Sequence, residues 1–126
     1  SELPDSGYFY TEVYICELNE GFSKKDAVNF LYGFREAVAN ADYSDTSYHL
    51  GNYFFHDDPS SFLWMNFTNS NESMNKANAS FEAEVRDSMF PLFSEFASCG
   101  EKPDLYDGYT LYWSEDKDFM PIFQSN

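Results

Sequence analysis

At 126 residues and 14.6 kDa, the chain is one domain in length and able to bury roughly two-thirds of its unfolded surface without a metal or a disulfide framework. Its 22 acidic and 7 basic side chains give a net charge of −15, which repels phosphates and makes nucleic acid and anionic membranes poor partners. An apolar share of 43%, with 14 Phe, 10 Tyr and 2 Trp, supplies the burial that acidic disordered chains lack, and no run approaches the roughly 18 apolar residues of a membrane helix.

A polar lead, residues 1–7, is expected to be disordered or extended, and its start at Ser1 is compatible with a secreted or periplasmic protein. The first strand signal is Tyr8 to Leu18, YFYTEVYICEL, closed by the turn composition Asn19-Glu20-Gly21. Both of its parities are largely apolar, which is the pattern of a central strand covered on two faces. Ser23 with Asp26 resembles a capping box and opens a helix from about Lys24 to Asn40, whose stripe is Ala27, Leu31, Phe34 and Val38. Gly33 inside it points to a close approach of helix to sheet, since an interior glycine costs ~1 kcal/mol.

Tyr48 to His56 reads as the second strand and Phe62 to Phe67 as the third, joined as a hairpin by a compact turn, Asp57 to Ser61, in which Pro59 ends pairing. A longer helix follows from about Glu72 to Ser98 with the stripe Met74, Ala77, Phe81, Val85, Met89, Leu92 and Phe96. Pro91 lies within that stripe, so a kink or break is expected near Phe90. Leu105 to Ser114 is the fourth strand, completing a single domain over residues 8–114. The last segment, 115–126, carries Phe119, Met120, Ile122 and Phe123 and is expected to pack on a sheet edge or a partner subunit.

The order βαββαβ is the ferredoxin-like α+β arrangement: a four-stranded antiparallel sheet ordered 4-1-3-2 with two helices on one face. The other face then carries an aromatic parity of each strand. This layout, the bare aromatic face and the Pro-interrupted run Met89-Phe90-Pro91-Leu92-Phe93 resemble the dimeric α/β-barrel superfamily over about Tyr8 to Ser114. The resemblance implies a homodimer packed sheet against sheet, with a pocket between the sheet and helices of each subunit. That superfamily includes cofactor-independent monooxygenases and haem-degrading enzymes, and no residue role transfers from it at the level of a motif.

Several residues are candidates for chemistry. Trp64 and Asn66 share a strand parity, and an aromatic beside an amide suits a flat ligand. Tyr10, Tyr14, Tyr53 and Tyr112 offer phenolic donors to an apolar pocket, although a sheet tyrosine is more often interface. His49 and His56 differ by an odd number and so face opposite ways on a regular strand. His49 is nominated for the pocket, but a strand position is not where the haem-degrading relatives keep their ligand, and the reading is no cofactor. His56-Asp57-Asp58 reads as turn capping rather than a metal site. Cys16 and Cys99 fall on neighbouring antiparallel strand ends; a disulfide there is geometrically available and would favour an oxidising compartment, while the blander expectation is two inert thiols. Three glycosylation-like triplets, at Asn66, Asn71 and Asn78, receive no function. Together these readings give a homodimeric domain binding a small apolar or aromatic ligand, with a monooxygenase-like enzyme and a ligand-free interaction module as alternatives.

Overall fold

The computed structural model describes residues 7–44 and 46–110. The expectations for Tyr112, for strand residues 111–114 and for the 115–126 tail lie outside them. The elements run β1 (Tyr8–Leu18), α1 (Lys24–Ala39), β2 (His49–Phe55), β3 (Asp58–Thr68), α2 (Asn71–Ser80), a π-helical turn (Phe81–Val85), α3 (Arg86–Phe96), β4 (Ala97–Cys99) and β5 (Asp104–Tyr109). The sheet order is β2-β3-β1-β4, with β5 also on β1, so β1 is central and the ferredoxin-like α+β fold holds with five strands in place of four. The expected fourth strand is divided: β4 pairs with Cys16 to Leu18 and β5 with Tyr8 to Val13, both antiparallel.

Local signals explain the element ends. The Ser23 backbone N–H donates to Asp26 Oδ2 at 2.7 Å, the reciprocal half of a capping box. Gly21 turns the chain at φ +88°, a left-handed conformation that costs glycine nothing. At the start of α2 the Ser70 hydroxyl accepts the Ser73 N–H at 3.0 Å.

The hairpin is tighter than the sequence suggested, with His56 and Asp57 alone between the strands. Pro59 lies inside β3, yet pairing steps from Phe55↔Asp58 to Phe54↔Phe62, so the proline falls among bulged residues where its missing N–H breaks no ladder bond. Asp58 Oδ1 takes the Ser60 N–H at 3.1 Å and its hydroxyl at 2.7 Å, bonds that hold the carboxyl below the usual range.

Two helix expectations are corrected. α3 passes through Pro91 without interruption, and the irregularity sits earlier, where the Arg86 N–H reaches back five residues to the Phe81 carbonyl. The inward stripe runs Val85, Met89, Phe93 and Phe96, so Leu92, expected inside, is exposed and Phe93 packs on the core in its place. Gly33 is exposed; a Cβ there would meet only Met89 Cε of α3, at an ordinary 3.6 Å. No close approach to the sheet requires this glycine.

The helices cover the sheet face made by Tyr14 and Cys16 of β1, Phe62 and Trp64 of β3, and Leu50 and Phe54 of β2. On the opposite face Ile15, Tyr53, Phe55 and Tyr106 are each about half exposed. There the Phe9 ring overlies Gly108, where a Cβ would sit 2.2 Å from it.

Cys16 and Cys99 are directly opposed in the β1–β4 register and joined by a disulfide, which corrects the expectation of free thiols. β4 forms immediately after α3, bringing Cys99 into pairing one strand earlier than foreseen. The bridge crosslinks positions 83 apart, a closure worth about 4 kcal/mol in the chain-entropy account. The urea midpoint of the oxidised protein should therefore exceed that of the reduced protein, and of a Cys16→Ala/Cys99→Ala variant, by a stability of that order. Equal midpoints would show that the bridge contributes nothing.

Candidate ligand cavity

Between the sheet and the helices lies a cavity of about 610 Å³, within the size range of small-molecule sites. Its aromatic wall is a network of rings centred on Phe30, which lies 5.5 Å from Phe93, 5.3 Å from Phe96 and 6.1 Å from Trp64. Trp64 meets Phe34 edge-on at 5.1 Å and Phe93 at 5.6 Å. Each such pair contributes about 0.5–1.5 kcal/mol beyond its buried area, so these rings form a stiff wall.

One end of the cavity is polar. Trp64 Nε1–H donates to Asn66 Oδ1 at 2.8 Å, and the Tyr48 hydroxyl donates to the same oxygen at 2.7 Å. Because indole can only donate, the acceptor must be the amide oxygen, which fixes the flip of Asn66 and turns Nδ2 the other way. Tyr14 lies across from Trp64 in the β1–β3 register, and Glu12 across from Asn66. Glu12 is 8% exposed; its Oε2 accepts from Asn78 Nδ2 at 3.2 Å, and its Oε1 is buried without a partner among the described residues.

The loop from Asp42 to Tyr48 roofs this end. It is tied to the second helical region by the Asp42 N–H on Glu84 Oε2 at 2.9 Å and by the Ser80 hydroxyl on the Asp42 carbonyl. Thr46, 2% exposed, donates its hydroxyl to the Tyr43 carbonyl at 2.6 Å. The Tyr43 and Tyr48 rings are consequently held 5.2 Å apart. Burial, with the nearby Glu84 charge second, pushes the Tyr43 hydroxyl up to about 12. Burial likewise raises Tyr48, aided by Tyr43, Glu12 and Tyr14, and raises Tyr14, aided by Glu12. All three phenols stay protonated, as donors, at neutral pH.

Of the residues nominated from sequence, Tyr14, Trp64 and Asn66 line this cavity. Tyr10 pairs with Thr68 and Asp107 farther along β1 and is not among the lining residues. Tyr53 lies half exposed by a shallower cleft of about 400 Å³ with Lys24, Asn52 and Phe54. His49, opposite Phe67 in β3, is exposed. His56, also exposed, pairs only with Asp57, 3.5 Å away. Among the described residues no three histidine, cysteine or acidic side chains converge on a possible metal position. Sequence reasoning missed Tyr43, Tyr48 and Glu12. The signal for Glu12 was present, as the one acid in the middle of a strand apolar on both faces, Glu17 lying at its end.

No family model matches the chain, and no curated protein matches it. Among solved structures it is similar to a conserved protein from Methanosarcina mazei Go1, at 12% identity and TM-score 0.55 over 83% of this chain and 95% of that one. It is also similar to a protein from Chloroflexus aurantiacus J-10-fl provisionally named an antibiotic biosynthesis monooxygenase, at 13% identity and TM-score 0.50 over 84% and 96%. These likenesses show that both proteins share the fold of this chain.

The raised phenols carry a stability consequence. Between the unfolded tyrosine value near 10 and the folded value of about 12 for Tyr43, the unfolded chain releases protons that the folded chain retains. Stability is therefore full below pH 10 and falls as pH rises toward 12. Urea midpoints should drop between pH 9 and pH 11, and Tyr43→Phe should flatten that drop. An unchanged slope in the variant would contradict the assignment.

Proposed function

We propose that the protein is a homodimer in which each subunit binds a small, flat, largely apolar or aromatic molecule in the cavity between sheet and helices. The observation that carries this reading is the aromatic wall around Trp64 together with the hydrogen-bonded pair Trp64–Asn66 at its polar end. Binding pockets join such apolar walls to a few oriented polar groups. A ligand-free interaction module needs no cavity of this size and is the weaker account.

The dimer follows from the other face. Ile15, Tyr53, Phe55 and Tyr106 leave an apolar sheet surface without cover among the described residues, and a second copy packed sheet against sheet would bury it. The disulfide supports an oxidising compartment, periplasmic or extracellular.

A second reading, cofactor-independent oxygen chemistry on the bound molecule, is favoured by the fold shared with the Chloroflexus protein. Oxygen uptake during turnover of electron-rich phenols would support it, and its absence across such a panel would leave binding alone.

Light scattering at micromolar concentration should report twice the 14.6 kDa chain mass. Ile15→Glu should convert this species to a monomer that keeps its melting temperature, since Ile15 is 58% exposed in the single chain. A wild-type monomer would contradict the dimer.

Ligand binding is testable with 2-acetonaphthone, followed by Trp fluorescence and calorimetry. Ser94 is exposed and lies on the cavity lining in one helical stripe with Arg86 and Phe90, so Ser94→Trp should block entry and weaken binding about tenfold or more (~1.4 kcal/mol) without altering the melt. Binding unaffected by that block would place the ligand elsewhere.

A further inference from the structure

We infer that Glu12 sets the ligand specificity of the cavity, so that its polar end takes a neutral oxygen acceptor such as a ketone and rejects a carboxylate of the same shape. This rests on the reading of the cavity as a ligand site.

Three features of the polar end lead there. The Asn66 oxygen is occupied twice, by Trp64 Nε1–H and by the Tyr48 hydroxyl, which exhausts its two lone pairs. The Asn66 Nδ2 donor and the Tyr14 hydroxyl have no hydrogen-bond partner among the described residues, and both residues line the cavity. A bound molecule therefore meets free donors and needs an acceptor. An amine or ammonium would set donor against donor.

Charge decides which acceptor. Glu12 sits directly across from Asn66 and two residues from Tyr14 on the same strand face, nine-tenths buried. Its negative charge contributes to the raised values of Tyr14 and Tyr48, so its field reaches both hydroxyls. A ligand carboxylate on Asn66 Nδ2 would lie on the order of 8 Å from that charge, and at an effective dielectric of ~20 the repulsion weakens binding roughly 30-fold. Arg86, the one cation among the described lining residues, does not offset this. It pairs with Glu82 at 3.8 Å and lies over the Phe90 ring at 5.9 Å. A ketone oxygen takes the donors without that repulsion.

The test uses the disulfide-intact protein and three probes of one shape: 2-acetonaphthone, 2-naphthoate and the hydrocarbon 2-isopropenylnaphthalene. The ketone is expected to bind about 10-fold tighter than the hydrocarbon and about 30-fold tighter than the carboxylate. Glu12→Gln removes the charge and keeps the shape; it should shrink the ketone-to-carboxylate ratio to about 3-fold or less while leaving ketone affinity nearly unchanged. A ratio unmoved by Glu12→Gln overturns the inference. Should that variant fail to fold, the wild-type ratios still decide: 2-naphthoate binding as tightly as the ketone, or the hydrocarbon matching it, overturns the inference while the cavity remains a ligand site. If none of the three probes binds, the ligand reading itself fails and this inference falls with it.

Discussion

The register between β1 and β3 is the constraint on which the rest depends. It sets Tyr14 against Trp64, Glu12 against Asn66 and Cys16 against Phe62, placing in one row the groups that wall the cavity and those that polarise it. A strand alternates faces with a period of two, so a slip of β1 by one residue would send Glu12, Tyr14 and Cys16 to the open face and bring Val13 and Ile15 under the helices. Two bonds oppose such a slip. The disulfide to Cys99 holds Cys16 on the helix-covered face of β1, and the hydrogen bond from Asn78 of α2 holds Glu12 there. Neither survives a change of parity in β1, so the sheet pairing and the cavity wall are specified together.

Polar groups are costly in so aromatic an interior, and the structure shows how that cost is contained. An unpaired buried amide or hydroxyl loses roughly 1–3 kcal/mol, yet Trp64, Tyr48 and Asn66 satisfy one another in a compact triad. Among the described residues Thr11 Oγ1, the Asn52 amide and one oxygen of Glu12 are the exceptions, the other Glu12 oxygen being held by Asn78. A stabilising role would be better served at this position by an apolar side chain, since burying a carboxylate costs several kcal/mol. Glu12 stands directly across from Asn66 of the cavity lining, which is the ground for the role proposed for it above.

The sequence made the sheet legible because strand alternation and helix stripes are local patterns. β1 as a central strand, α1 with its capping box, and the order of elements all follow from spacing within windows of a dozen residues. Features that depend on the whole molecule did not. The π-helical turn at Phe81–Val85 has no marker in local composition, and the choice of Phe93 over Leu92 for the inward face rests on packing against Phe30, Trp64 and Phe96. Pro91 reads as a break, yet α3 continues through it. Tyr43 and Tyr48 join the cavity only because Glu84 and Ser80 anchor their loop to the helices, contacts about 40 positions apart that no periodicity reports. Trp64 and Asn66 were visible as a pair because both the parity and the hydrogen bond lie within one strand.

The cavity is open rather than sealed, so water molecules reach both its polar end and its ring wall. Those near Asn66, Tyr14 and Tyr48 find hydrogen-bond partners, whereas those against Phe30, Phe34 and Phe93 face rings that offer none. Water of the second kind is displaced at a gain by any flat apolar surface, and water of the first kind only by a group that accepts the same hydrogen bonds. On the ligand-binding reading proposed above, the ring wall supplies affinity and the polar end selectivity, and Trp64 and Asn66 of β3 join the two.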